Sequence, residues 1–447
     1  MTDPATAADI LKTALAAAKA AGASQADAVY AADSTSGVSV LNGAVEDITR
    51  SEDAELGLRV FDGRRSATVA VQAMSKDALQ AAAERAVAMA REAPEDPYAR
   101  LASPDQLATD ITADLDLDDP AAPDLAALES MALSCEAAAL GVKGVSNAGG
   151  GGAQSGRALY ALATSEGFVG IRTGSQHAVY ASVIAGEGAD MQRDYAQTTT
   201  RHLADLEDAE TIGRRAGDRT VARLNPQPLK SGAMPVLFDP RVSNSFLGHL
   251  IGAIAGPAVA RGTSFLEDPE ALLFPESISI VDDPLRPRGL RSRTFDGEGL
   301  PIARRAIVEN GRLTGWLLNL ASAAQLDLAP NGYASRGASG SPGVSVSNLH
   351  MEPGTIARDD LIRETGTGVL ITELIGQGVN AVTGDYSRGA SGFLIENGQL
   401  GAPVTEITVA GNLKTMFAAM TAADDLDFTR STNAPTLRID GMTVAGG

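Results

Sequence analysis

The sequence predicts an α+β chain. Its N-terminal domain is a duplicated helix–β-meander–helix unit, and its C-terminal domain is mostly antiparallel β with an embedded glycine-faced helix. Three observations predict this. First, alanine-rich stretches with helical spacing bracket runs of alternating apolar and polar residues, and the arrangement occurs twice before residue 225. Second, Asn42-Gly43, Asn310-Gly311 and Asn397-Gly398 each separate two apolar runs, a type I′ hairpin signal. Third, after residue 226 short β-rich runs dominate, and one long helical stretch carries glycine at every fourth position.

The first unit spans residues 6–93. Residues 6–21 read as an amphipathic helix with Ile10, Leu11, Ala14 and Leu15 inward, stopped by Gly22. Alternating stretches follow at 26–32, 37–41, 45–51, 56–61 and 66–71. A second helix at 75–92 buries Leu79, Ala83, Ala86 and Met89. Prolines then interrupt an acidic connector, 94–123, read as a linker on the surface. The second unit, 124–223, opens with a helix at 125–140 that holds Cys135 on its inner face, a small buried hydrophobe. Strand-like runs at 144–149, 158–165, 168–174, 176–186 and 191–199 precede a helix at 205–224. Gly57–Val71 and Gly167–Val183 both read as strand, polar turn, strand, and Gly149–Gly152 as a hairpin tip.

Asn225-Pro226-Gln227-Pro228 marks the boundary between domains 1–225 and 226–447. Beyond it come strands at 234–238, 277–281, 303–309, 312–317, 344–350, 368–373, 392–396, 399–401 and 436–439. Short helices at 319–325, 358–364 and 412–420 lie between them.

Composition restricts function. The 447 residues carry a net charge of −20, which repels nucleic-acid phosphates and argues against nucleic acid as a partner. No run of 18 apolar residues is present, so no membrane-spanning helix is expected. The start has no basic segment followed by an apolar core, and one cysteine cannot form an internal disulfide. The expectation is a cytoplasmic protein.

The organising stretch is Phe238–Phe265. Asp239 can cap a helix that begins at Pro240. Val242, Phe246, Leu250 and Ile254 form its apolar face, and Gly248, Gly252 and Gly256 line the opposite side until Pro257 stops it. Each interior glycine costs roughly 1 kcal/mol relative to alanine, so the ridge suggests a second backbone passing close. On that reading Gly252→Ala is net destabilising and Gly256→Ala milder.

This stretch resembles the TldD/PmbA family, specifically its PmbA (TldE) branch. Thr372–Gly398 (TELIGQGVNAVTGDYSRGASGFLIENG) and Glu406–Phe417 (EITVAGNLKTMF) reinforce the likeness. In the TldD branch the resemblance implies an H-E-x-x-x-H core with two zinc-binding histidines and a glutamate base, plus a cysteine ligand near the C-terminus. Here Gly248 stands at the first histidine position, His249 at the glutamate and Ala253 at the second histidine. The segment Ser431–Gly447 contains no cysteine. Positions i and i+5 lie about 140° apart on a regular α-helix, so the TldD motif implies a distorted one, whereas retention of that distortion here is an open question. No zinc site is expected in this chain; the metal is expected in a TldD-like partner.

Two SRGASG segments, Ser335–Gly340 and Ser387–Gly392, do not match the nucleophile elbow of a serine hydrolase. Arg336 and Arg388 are candidates to meet a peptide carboxylate, and Asp385 and Tyr386 to bond across an interface; the competing reading of all four is turn structure. The resemblance implies the non-catalytic subunit of a TldD/TldE-type heteromeric zinc metallopeptidase. Such complexes process unfolded peptides, including microcin-type precursors and antitoxin-type proteins. The family is also described as modulating DNA gyrase. A homodimer is expected in isolation. The alternatives are a homodimeric peptide-binding scaffold without proteolysis and a self-sufficient hydrolase with an unrecognised site.

Overall fold

A computed structural model describes residues 2–446. Helix α1 (Pro4–Ala21) starts at Asp3, whose carboxylate accepts from the Ala5 and Thr6 amides, and ends at Gly22 with φ 96°. Helix α2 (Lys76–Glu92) is capped by Ser75. Between them run β1 (Gln25–Leu41), β2 (Ala44–Asp62) and β3 (Arg65–Val71). Helix α3 (Leu125–Leu140), strands β4 (Val145–Thr164), β5 (Val169–Ala185) and β6 (Gln192–Thr200), and helix α4 (Ala209–Ala222) repeat the plan. The two halves join as one six-stranded antiparallel sheet, ordered β3-β2-β1-β4-β5-β6. Alanine-rich α1 and α2 pack with Leu56, Leu58 and Val60, while α3 and α4 pack with Val38, Val40, Val179 and Val183.

Several sequence expectations fail here, two of them because long strands bridge the weak spots. Gly149–Gly152 lies within β4, with Gly151 paired to both Val40 and Ala181, and is not a hairpin tip. Within this stretch the register shifts between Ala148 and Gly150, a bulge at Gly149, and Gly150 has φ 102°. Of Gly167–Val183, everything from Val169 on is one strand, whereas Gly57–Val71 turns at Gly63, φ 62°. Met89 is exposed, because Ala86, Val87 and Ala90 supply the packed face of α2. The connector lacks strands but is not merely draped on the surface. It buries Leu101, Leu115 and Asp119, and the Asp119 carboxylate accepts from the amides of Ala121 (2.9 Å) and Leu203 (2.6 Å).

Strand β7 (Gly232–Phe238) leads into α5 (Pro240–Ile254) and a short α6 (Gly256–Ala260). After these come β8 (Ile280–Asp282), β9 (Arg305–Glu309), β10 (Arg312–Leu313), α7 (Leu320–Gln325), β11 (Ala334–Ser335), β12 (Gly343–Val344) and β13 (Leu349–Met351). Helix α8 (Arg358–Thr365), β14 (Gly368–Ile375), β15 (Asp385–Glu396), β16 (Gln399–Asn412), α9 (Leu413–Ala418), β17 (Met420–Ala422), β18 (Thr432–Asn433) and β19 (Leu437–Ala445) complete the chain. The predicted strand at 344–350 is split, since the Ser347 amide turns to donate to Asp282 at 2.7 Å. One sheet is ordered β10-β9-β8-β13-β18. The other is ordered β16-β15-β14-β7-β19-β17, and a β16–β19 pairing closes it into a barrel. Among these pairings β7–β14 and β13–β18 are parallel. A single large core includes Phe238, Phe246, Leu250, Leu349, Ile371 and Ile439, so α5 is packed against strands of both sheets. Among the described residues, no helix is long and apolar enough to cross a membrane.

Candidate functional site

Helix α5 is built as its sequence implies at the start. Asp239 caps it, accepting from the Arg241 amide at 3.1 Å. Arg241 then reaches Asp194 of β6 at 3.0 Å and the Thr372 carbonyl at 3.1 Å, tying the first turn to the N-terminal sheet. Sequence reading missed Arg241, because its partners lie 47 and 131 positions away. The helix is regular α through Ile254 and breaks at Ala255. Pro257 therefore lies in the first turn of α6 rather than ending α5.

The glycine ridge is two different surfaces. A Cβ on Gly248 or Gly252 would meet nothing within 4 Å, and both residues are exposed. Among the described residues no backbone passes there, which corrects the close-packing expectation. At Gly256 the expectation holds: an added Cβ would lie 2.8 Å from the Leu317 carbonyl oxygen and 2.5 Å from Ser322 Oγ. The Gly256 amide donates to that same carbonyl at 2.7 Å.

Beside the ridge, four rings form a cluster. Phe238 meets Phe246 edge-on at 4.7 Å, and Phe246 lies 5.7 Å from Tyr386 of β15. His249 meets Tyr386 edge-on at 6.0 Å. His249 Nε2, the Tyr386 hydroxyl and Arg388 Nε are buried without a hydrogen-bond partner in the chain. Burial, then the charge of Arg388, lowers the His249 pKa, which keeps the ring neutral at pH 7. Burial raises the Tyr386 phenol, and Arg388 pulls against it. Arg388 also lines a groove of about 270 Å³ with Tyr195, Arg241 and Glu373.

The other two candidates lie apart from this cluster's chemistry. Asp385 is exposed, accepting from Thr383 Oγ1 (2.7 Å) and Asn412 Nδ2 (3.1 Å), and these bonds hold its carboxyl below the usual range. It closes a turn. Arg336 is buried at the junction of the two halves, paired with Asp27, which also pairs with Arg59. Burial works against an ionised Asp27, but Arg336 and Arg59 outweigh it and hold the carboxyl low. Arg336 is thus a bolt between β1 and the C-terminal half, not the wall of an open cleft.

These residues do not fit a zinc ion on α5. Gly248 and Ala253 offer no donor, Ala253 faces the core, and His249 is isolated against Tyr386. Among the described residues, no three His, Cys, Asp or Glu side chains gather in a metal-holding group.

Comparison with known proteins defines the class. Models of the PmbA/TldA metallopeptidase match the chain in three parts: domain 1 over residues 26–90, the central domain over 118–224 and the C-terminal domain over 231–446. The chain belongs to the PmbA/TldD metallopeptidase family. It is similar to the metalloprotease PmbA of Escherichia coli O157:H7, with 36% identity over 94% of this chain and 92% of that one. Its fold matches that of a proposed modulator of DNA gyrase from Bacteroides thetaiotaomicron, with TM-score 0.92 and 24% identity over 100% of both chains. It also matches TldE from Thermococcus kodakarensis, with TM-score 0.86 and 20% identity over 98% of this chain and 100% of that one.

Proposed function

We propose that this chain is the non-catalytic subunit of a cytoplasmic, TldD/TldE-type heteromeric zinc metallopeptidase that processes or degrades unfolded peptides. The observation that carries the reading is α5. The helix is regular and packed into the core, while the resemblance sets Gly248, His249 and Ala253 against the family's ligand and base positions. Zinc and the general base come from a TldD-like partner. The exposed Gly248–Gly252 ridge lets that partner's backbone approach closely. An extended peptide is held by strand addition, which reads backbone more than side chains and suits unstructured substrates. With a net charge of −20, any effect on DNA gyrase acts through protein and not DNA.

The test is to purify the chain alone and together with a TldD-like subunit, then measure metal content and cleavage of an unfolded peptide. Cleavage and zinc are expected only with the partner. Near-equimolar zinc with chelator-sensitive cleavage by this chain alone overturns the reading.

A further inference from the structure

A second site lies away from α5, where β4 and β5 of the N-terminal sheet face residues 290–293, Ser335, Ser345 and Val346 across a cavity of about 460 Å³. Its charged lining is four arginines, Arg172, Arg201, Arg291 and Arg293, with no carboxylate among the described residues that line it. That is unexpected in a chain with 56 acidic and 36 basic residues. Like charges brought together at a desolvated site repel, and something must compensate.

Within the lining the chain supplies little compensation; Asp118 acts on Arg201 from outside it, and Asp114, Asp116 and Asp118 line an adjoining hollow that Arg172 and Arg293 share. The Arg172 guanidinium makes no salt bridge; it lies 4.4 Å over the Tyr160 ring and 5.7 Å from that of Phe295. Burial, with Arg293 and Arg201 close by, lowers its pKa to about 10. Arg293 is 8% exposed; one of its Nη atoms donates to the Ser345 carbonyl at 3.0 Å, but its Nε has no partner. Asp282 and Asp296 act on Arg293 from outside the cavity lining. Arg201 is held by the Ser175 carbonyl at 2.9 Å and by that of Leu290. Tyr160 adds a buried hydroxyl with no partner. The arginines are therefore positioned by backbone carbonyls and aromatic rings, while donor capacity is left over. Guanidinium forks match the paired oxygens of phosphate and carboxylate groups.

We infer that this cavity binds a small, multiply charged oxyanion, through Arg172 and Arg293 with Tyr160 as an additional donor. The volume admits more than one anionic group, so a diphosphate or a tricarboxylate suits it better than a single phosphate. The inference is independent of the peptidase reading, since none of these residues lies on α5.

The experiment is calorimetric titration of the full chain with pyrophosphate, citrate and inorganic phosphate, each against sodium chloride of matched ionic strength, together with thermal unfolding. Saturable binding and a raised midpoint are expected with pyrophosphate or citrate, and whichever binds tighter identifies the ligand as phosphate- or carboxylate-bearing. Arg172→Met should weaken the affinity about ten- to a hundredfold, the loss of charge-assisted hydrogen bonds. Arg172→Lys keeps the charge without the fork and should fall between. Exposed Arg261→Met serves as a surface-charge control and should change nothing. If no probe binds beyond the chloride control, or if Arg261→Met weakens binding as much as Arg172→Met, the inference is overturned.

Discussion

Replacing Gly252 by alanine separates the two halves of the glycine ridge. On propensity alone, alanine at an interior helical position gains roughly 1 kcal/mol over glycine. In the isolated chain nothing opposes that gain, because the added Cβ has no atom within 4 Å. Gly252→Ala is therefore expected to stabilise by up to about 1 kcal/mol, reversing the sign that the sequence pattern suggests. Gly256→Ala should do the opposite. Its Cβ would sit 2.5 Å from Ser322 Oγ, a hydroxyl already engaged with Asn319 Oδ1 at 2.7 Å, and 2.8 Å from a backbone carbonyl. Overpacking of that kind costs about 1–3 kcal/mol. Urea unfolding at low and high protein concentration reads both variants through midpoint and slope. A lowered Gly252→Ala midpoint at low concentration, with unchanged slope, refutes the argument. A drop confined to high concentration shows instead that a second copy covers the ridge. With a TldD-like subunit present, the same methyl should weaken association, so stability of the single chain and pairing with the partner move in opposite directions.

Further outcomes follow from other buried groups. Glu298 is raised by burial to about 7 from an ordinary 4.5. In that window the folded chain holds a proton that the unfolded chain has released, so stability falls as pH rises through it. Glu298→Gln should flatten this decline, measured as denaturant midpoints across the same pH range. Burial pushes the Cys135 thiol up to about 12, so thiol reagents at neutral pH should modify it only as the chain unfolds. Asp27→Asn leaves Arg59 and Arg336 buried without their carboxylate and should destabilise by about 3–5 kcal/mol in the same unfolding assay. Sedimentation of the purified chain should show a homodimer formed through the C-terminal domain, a related-fold partner surface being able to pair with itself; a monomer at high concentration counts against it.

The regular parts were legible because they depend on local chemistry. Asn42-Gly43, Asn310-Gly311 and Asn397-Gly398 all sit in hairpins with positive φ at both residues. Asp239 caps α5 and Cys135 is buried, as their neighbours in sequence imply. What escaped depends on distant partners. Strands β1, β4 and β5 run 17 to 20 residues because each is flanked on both sides, so glycines that read as tips are carried by the ladder. Arg336 is remote in sequence from Asp27, and no local pattern shows that they pair.

The same distinction explains why α5 holds its form with Gly248 and Ala253 offering no donor. The helix is held by Phe246, Leu247, Leu250 and Ile254 in the core, by the Asp239 cap and by Arg241 reaching Asp194. None of these contacts involves the motif positions 248, 249 or 253 as a ligand would. The form of α5 thus does not depend on a donor side chain at these positions. Gly248 in particular adds cost in propensity and supplies no contact, so the isolated chain gives no physical reason to keep it. A surface that is costly alone and open to solvent is one whose benefit lies in what it meets. On the function proposed above, that benefit is a close backbone approach by a second subunit, which a side chain at position 248 or 252 would hold off.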